Sequence, residues 1–226
     1  MFEQSPSQIF KAQFRGHNEN EEYRCLSTFN FDTYSVQSRE AFGLLNVFND
    51  ETLAPQKSKS FSVQEDSEIL LIPLVGAIAI EGKDFVKTEG FQILKMKKDS
   101  TFELKNPYED ELVNYLQIRF SGSCFTQNDS ARYTFSLEKR NELLPLYQGL
   151  NYKVSIGIFN TRSETAYSIQ KAQNGLFAFV IAGAFEFQNR LLESRDALSI
   201  SDITEIELES LTENAILLLI ETALLL

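Results

Sequence analysis

Short apolar runs recur along this chain, and their length limits what it can fold into. The runs are rich in Ile, Val, Leu, Phe and Tyr, and Gly, Asn, Asp or Ser residues stand between them. Segments of about four to eight such residues are too short for most helices and are typical of buried β-strands. They lie at residues 41–48, 68–75, 112–120, 153–159, 175–183 and 215–221. The sequence therefore predicts an all-β fold, a sandwich or a barrel.

The two halves of the chain resemble each other. ILLIPLVGAIAI at residues 69–80 aligns with LFAFVIAGAFEF at residues 176–187, and Gly76 and Gly183 hold the same place in the two segments. A glycine there permits a tight turn or a bulge between paired strands. A hairpin that recurs about 107 residues later predicts a duplicated β-barrel.

One segment between the halves has a different pattern. SLEKRNELL at residues 136–144 places leucines and charges at helical spacing, which predicts a connecting helix. We therefore expect two domains. The first barrel covers residues 1–122, and the linker helix with the second barrel covers residues 123–226.

The charge balance narrows the choice of partners. Lys and Arg number 21 against 32 Asp and Glu, which gives a formal net charge of −11 and argues against nucleic acid and anionic membranes. The chain shows no signal-peptide pattern, so the cytoplasm is the expected location. AILLLIETALLL at residues 215–226 is too short for a membrane span and contains Glu221, which favours a buried strand.

Few residue types suited to catalysis are available. Cys25 and Cys124 stand apart in apolar or small-residue contexts, and both are predicted to be buried free thiols. The single histidine, His17, lies in a polar stretch that is expected to be a loop. One His and two separated Cys cannot supply an ordinary zinc site, and a Ser–His–Asp triad would rest on His17 alone. The sequence contains no Walker loop and no G-x-G-x-x-G motif.

Four segments together resemble a known family. STFNFDTY (27–34), AFGLLNVFNDETLAP (41–55) and NPYEDELVNYLQI (106–118) are similar to the N-terminal half of pirin-like proteins. The family text there reads roughly H-T-F-S-F-x-x-Y, F-G-x-L-x-V-x-N-D-D-x-[VL]-A-P and N-P-S…F-L-Q-I-W. The segment at residues 197–221 resembles the closing β-hairpins of the family. The resemblance implies a bicupin of two small β-barrels, with quercetin 2,3-dioxygenase activity in some members. It also implies a metal ion, usually iron, held in the N-terminal barrel by an H-x-H pair and a later H-x-E.

This chain departs from the family at each of those ligand positions. The family's H-P-H-R-D-x-E-I falls on SVQEDSEI, so Ser62 and Gln64 stand where the two histidines belong. Counting back from Asn106–Pro107 puts Phe102 and Leu104 at the later His and Glu. Phe and Leu side chains have no lone pair to offer a cation. We therefore predict a degenerate metal site with no metal ion, no cofactor and no catalytic residue.

A different ligand set is left open. Glu65, Glu68 and Glu103 could in principle hold Ca²⁺ or Mg²⁺ through their oxygens. Glu103 argues against this set, because in a strand it points away from Phe102 and Leu104, and thus out of the barrel if those two point in.

The same region supplies the candidate pocket. Its predicted lining residues are Ser62, Gln64, Glu68, Phe102 and Leu104. The polar ones either bind a small ligand or satisfy backbone groups at the rim, and the apolar ones, with Phe61, are expected to fill the space of the metal and substrate. Phe29, Phe31, Tyr34, Asn49 and Asp50 are predicted to be structural.

Three functions follow as hypotheses. The first is a non-enzymatic module that binds a small apolar or aromatic ligand or a protein partner. The second is an oxygenase of the quercetin 2,3-dioxygenase type, as the resemblance implies. The third is an assembly protein that docks another chain on acidic strand faces. ITEIELES at residues 203–210 alternates in the way that predicts such a half-buried strand.

Overall fold

The computed structural model describes residues 5–82, 84–122 and 124–224, and it confirms the all-β prediction. Two single-turn 3-10 helices, Ala12–Phe14 and Gln37–Arg39, accompany twenty-one strands in these residues. The first twelve strands are β1 (Ser7–Phe10), β2 (Gly16–Glu19), β3 (Tyr23–Ser27), β4 (Leu45–Leu53), β5 (Ser58–Ser62), β6 (Ser67–Val75), β7 (Ala77–Ile80), β8 (Asp84–Lys87), β9 (Gly90–Met96), β10 (Thr101–Lys105), β11 (Val113–Phe120) and β12 (Asp129–Thr134). The remaining strands are β13 (Leu144–Gln148), β14 (Tyr152–Phe159), β15 (Glu164–Ser168), β16 (Asn174–Ala182), β17 (Ala184–Phe187), β18 (Arg190–Glu193), β19 (Ala197–Ile200), β20 (Glu205–Ser210) and β21 (Ala215–Ala223).

The described chain divides into two compact units, each with its own apolar core. The unit called the first barrel contains residues 15–41 and 45–135, and the second barrel contains residues 5–14, 42–44 and 136–224. Packing therefore does not follow a single cut along the chain. The predicted boundary after residue 122 stays a prediction.

Each barrel is made of two antiparallel sheets. In the first barrel the strand orders are β12-β9-β6-β11-β4-β3-β2 and β5-β10-β7-β8. In the second barrel they are β1-β19-β16-β21-β14-β13 and β15-β20-β17-β18. The apolar runs noted in the sequence form the centre of these sheets, because both of their faces are buried.

Strands with one buried face show the expected alternation. In β10 Phe102 and Leu104 are buried in the first core, and the Glu103 side chain faces the other way. In β20 the burial pattern alternates between buried apolar and more exposed acidic residues, as predicted from ITEIELES. The period-2 geometry of a strand accounts for both.

The repeated glycine turn is confirmed. Gly76 separates β6 from β7 with φ of +75°, and Gly183 separates β16 from β17 with φ of +81°. A Cβ at Gly183 would lie 2.4 Å from Thr212 Oγ1. Both the left-handed conformation and the close packing therefore require glycine at this turn.

The helix predicted at residues 136–144 is wrong. Arg140 instead forms an isolated parallel bridge with Ile158, and its guanidinium donates hydrogen bonds to Asn160 and Asn214. Asn141 has φ of +63°, and its N–H donates to the Ile158 carbonyl over 2.8 Å. Helix propensity is a weak local preference, and these tertiary hydrogen bonds to the second barrel override it.

Two other local predictions differ in outcome. The apolar C-terminal run forms β21, and among the described residues no helix is both long and apolar enough to cross a membrane. Cys25 is a buried free thiol as predicted, but Cys124 is free and exposed. Cys124 lies in the irregular connection between β11 and β12, where no sheet covers it.

Candidate ligand-binding site

A cavity of about 590 Å³ opens in the first barrel. Its aromatic lining comes from Tyr23, Phe31, Tyr34 and Phe61, and the most buried charged residue of its lining is Arg119. Strands β2, β3, β5 and β11 and the loop before residue 35 contribute to the wall. A cavity of this size suits a small molecule.

Two of the predicted pocket residues line this cavity. Ser62 lies at the end of β5, and the amide of Gln64 donates to its hydroxyl over 3.1 Å. Phe102 and Leu104 belong instead to the apolar core, where the Phe102 ring stacks on Phe61 at 5.2 Å between centroids. These two residues therefore fill the barrel and leave the cavity beside them.

Glu68 was predicted at the pocket and lies elsewhere. Its neighbour Ile69 faces the first core, so Glu68 points to the opposite face of β6. There its carboxylate is 3.8 Å from Lys95 Nζ. A one-residue step along a strand reverses the direction of the side chain, so sequence spacing alone does not place Glu68 at the cavity.

The prominent residue that the sequence prediction missed is Arg119. Its side chain is 6% exposed, its Nε donates to Gln117 Oε1 over 2.6 Å, and its Nη1 donates to the Ser62 carbonyl over 3.0 Å. The guanidinium carbon lies 5.6, 5.8 and 5.5 Å from the ring centroids of Phe31, Phe61 and Phe102. Burial lowers the pKa of Arg119, but arginine remains a cation in proteins.

A carboxylate lies behind this cation. Glu51 has no exposed surface, and its Oε1 accepts hydrogen bonds from Asn49 Nδ2 at 3.0 Å and Gln117 Nε2 at 2.9 Å. Gln117 therefore links the guanidinium of Arg119 to Glu51 through its amide. Burial raises the pKa of Glu51, and the nearby Tyr115 hydroxyl, the Asn49 amide and the charge of Arg119 oppose that rise. Glu51 Oε2 and Tyr115 Oη nevertheless have no hydrogen bond of good geometry among the described residues.

Strand register brings these polar groups together. On β3, β4 and β11 the inward-facing residues align in rows across the strands, and two of the three rows place polar groups side by side. The rows are Cys25–Glu51–Tyr115, Ser27–Asn49–Gln117 and Val47–Arg119. Burial raises the pKa of the Cys25 thiol to about 12, which disfavours the nucleophilic thiolate.

Comparisons with known proteins agree with this architecture. Residues 133–222 match the family of quercetinase C-terminal cupin domains. The bacterial pirin YhhW from Escherichia coli, solved in complex with nickel(II), superimposes with a TM-score of 0.87 at 19% identity, over 97% of this chain and 100% of that one. The chain has the two-barrel fold of a bicupin.

Other solved structures share the fold of this bicupin. A quercetin 2,3-dioxygenase from Acinetobacter baumannii has a TM-score of 0.75 at 12% identity, over 96% of this chain and 85% of that one. The protein YhaK from Escherichia coli has a TM-score of 0.69 at 16% identity, over 94% and 95%. No curated protein sequence matches the chain. At these identities the similarity shows the fold alone.

The loop before residue 35 forms an aromatic wall of the pocket in this bicupin. Phe31 and Tyr34 form an isolated antiparallel bridge and exchange two hydrogen bonds of 3.0 Å. The Tyr34 ring lies directly on Gly16, where a Cβ would be 2.4 Å from the ring. Phe31 and Tyr34, predicted to be structural, therefore also line the cavity.

The sequence did contain a signal for Arg119. It is a charged residue in the apolar run that forms β11, and charged side chains are rare in strands buried on both faces. It also stands where the family pattern F-L-Q-I-W ends in Trp. The histidine His17 is in β2 rather than a loop, exposed at the cavity rim, with Nε2 2.6 Å from Glu19.

Proposed function

We propose that the first barrel of this bicupin is a metal-free binding site for a small molecule and that the chain is not an enzyme. The observation that carries the proposal is the buried guanidinium of Arg119, which opens onto the cavity between aromatic rings. Cupin barrels offer an enclosed pocket, and here the positively charged guanidinium of Arg119 lies beside that pocket. That combination suits binding rather than oxygen activation.

The side chains at the family's ligand positions do not fit a metal ion. Ser62 and Gln64 offer a hydroxyl and an amide, whereas Phe102 and Leu104 lie in the core. The guanidinium of Arg119 donates to the backbone of Ser62 itself, so a metal ion there would meet a positive charge. In the described part of the chain no three His, Cys, Asp or Glu side chains are grouped to hold a metal.

The carboxylate alternative has little support. Glu65 lines the cavity and accepts from Asn46 Nδ2, but Glu68 points to the other face of β6. Glu103 lies on the outer face of β10, where it accepts a hydrogen bond of 3.1 Å from Ser58. The three carboxylates therefore do not converge, as a Ca²⁺ or Mg²⁺ site requires.

The competing function is an oxygenase of the quercetin 2,3-dioxygenase type, which the family match of the second barrel favours. The binding function and the oxygenase function are distinguished by one experiment. The purified chain is loaded with Fe²⁺ or Ni²⁺, unbound metal is removed, and both metal content and quercetin turnover are measured. Calorimetric titration with small aromatic compounds is run on the same protein. We expect far less than one metal per chain, no turnover and binding of at least one aromatic compound. Stoichiometric metal together with turnover would favour the oxygenase.

We propose the cytoplasm as the location of this protein. Both cysteines are free, which suits the reducing cytoplasm.

A protein-interaction role stays a second hypothesis, supported by the acidic outer face of the second barrel. Glu164, Glu186, Glu207 and Glu209 line a shallow groove of about 370 Å³ there.

A further inference from the structure

Arg119 is a buried cation whose hydrogen-bond partners in the protein are neutral. Its partners are the Gln117 amide oxygen and the Ser62 carbonyl, and no described carboxylate lies within 4.0 Å of the guanidinium. A charge removed from water is costly unless an opposite charge compensates it. Nη2 makes no hydrogen bond to the described chain, so the guanidinium retains donors for a further partner.

The charges around Arg119 leave it incompletely neutralised. Glu51 is linked to Arg119 by the hydrogen bonds of the Gln117 amide and has no direct ion pair with it. Burial favours the neutral form of the Glu51 carboxyl. Lys59 also lines the cavity and adds positive charge. Asp32 and Glu65 lie at the exposed rim, where water screens them from a buried group.

The equivalent position of the second barrel holds a charged residue that accepts hydrogen bonds from within that barrel. Arg119 pairs with Ile69 on β6, and Glu221 pairs with Leu176 on β16, while the glycine repeat aligns Ile69 with Leu176. Arg119 and Glu221 therefore occupy equivalent sites. Glu221 accepts three hydrogen bonds, from Tyr167 Oη at 2.8 Å, the Gln170 N–H at 3.0 Å and Asn174 Nδ2 at 2.6 Å. Of these two equivalent residues, Arg119 is the one that keeps free donors beside a cavity.

We infer that the ligand of the first barrel is a small aromatic carboxylate whose carboxylate pairs with Arg119. Guanidinium and carboxylate match in geometry and form charge-assisted hydrogen bonds. The half-buried rings of Phe31 and Tyr34 provide flat apolar surface for the aromatic body, and the cavity of about 590 Å³ has room for it. This inference rests on the proposed small-molecule function and specifies the class of ligand.

Cinnamate and its neutral amide, cinnamamide, test the inference because they share size and shape. Isothermal titration calorimetry at neutral pH compares both probes on the full chain. We expect cinnamate to bind wild type about tenfold or more tightly than cinnamamide. In Arg119→Gln the cinnamate affinity should fall by about that factor and the preference should vanish. Arg119→Lys, which keeps the charge without the planar fork, should lie between the two.

Arg24→Gln is the matched control. Arg24 is exposed on β3 and does not line the cavity, so this variant removes the same charge and should bind both probes as wild type does. The wild-type comparison of the two probes needs no variant and stands even if Arg119→Gln does not fold. Equal affinity for both probes, or full cinnamate affinity in folded Arg119→Gln, overturns the inference and leaves the proposed function intact. Failure of both probes to bind wild type counts against the proposed function itself.

Discussion

Glu51 has no exposed surface, and only one of its carboxylate oxygens is hydrogen-bonded in the first barrel. Burial raises the pKa of this carboxyl above the ordinary 4.5, so folding favours its protonated form. Its contribution to stability is therefore full below pH 4.5 and is lost as pH rises through the raised pKa. Glu51→Gln cannot ionise, and it keeps an oxygen for the two amide donors. We expect the melting temperature of Glu51→Gln, relative to that of wild type, to increase by a few degrees as the pH rises from about 5 to about 8.

Glu138→Gln provides the control for that experiment. Glu138 is exposed, so this variant removes one negative charge without changing a desolvated group. Its melting temperature, measured by circular dichroism, should keep a constant offset from wild type over the same pH range. A constant or shrinking offset for Glu51→Gln would show that burial does not control this carboxyl.

Single residues of the site were predictable only where a known pattern marked them. The family resemblance names the positions of Ser62 and Gln64, and both residues line the cavity. Glu68 lies apart from them, because the side-chain direction changes at every residue of a strand. Arg119 and Glu51 were missed because sequence alone does not tell which face of a buried strand carries a charge. Only the register of β4 and β11 places them on one inner face.

At the level of elements, the glycine turns offer a matched pair of variants. Gly183 and Gly82 both have positive φ, +81° and +66°, but a Cβ at Gly82 would meet nothing within 4 Å. Alanine at either position carries the left-handed penalty of about 1 kcal/mol, and only Gly183→Ala adds overlap with Thr212 and Ala215. Urea denaturation should show Gly183→Ala losing about 1–3 kcal/mol more stability than Gly82→Ala. Equal losses would mean that the packing around Gly183 relaxes freely.

The long apolar strands were predictable from the sequence and the conformation of residues 136–144 was not, for one physical reason. Strands such as β6 and β21 are long apolar runs, and burial of such runs is the dominant stabilising contribution to folding. The segment 136–144 has no such run, so its conformation depends on distant partners. Arg140 finds them in Asn160 and Asn214, which are remote in sequence. Local spacing contains no information about those contacts.

At the scale of the whole molecule, the first strand, β1, belongs to the second barrel, whose other strands are β13 to β21. Strand β1 pairs with β19, and Phe10 is 2% exposed with its ring 6.1 Å from that of Phe177. Lys11 Nζ and the Ala12 N–H donate to the carboxylate of Asp196, at 2.7 and 2.8 Å. Deleting residues 1–14 would therefore open the β19 edge, remove a core ring and leave a buried carboxylate with fewer donors. The loss of the ring alone corresponds to about 3 kcal/mol.

Hydrogen–deuterium exchange can locate that loss, because each barrel supplies a strand to compare. In the deleted chain we expect protection of β19 to fall by on the order of a hundredfold while β10 of the first barrel keeps its protection. The same result would argue against a self-sufficient second domain at residues 123–226, since that fragment also lacks β1. Unchanged protection of β19 would show that β1 is dispensable. Equal losses in β19 and β10 would show instead that the two barrels unfold as one cooperative unit.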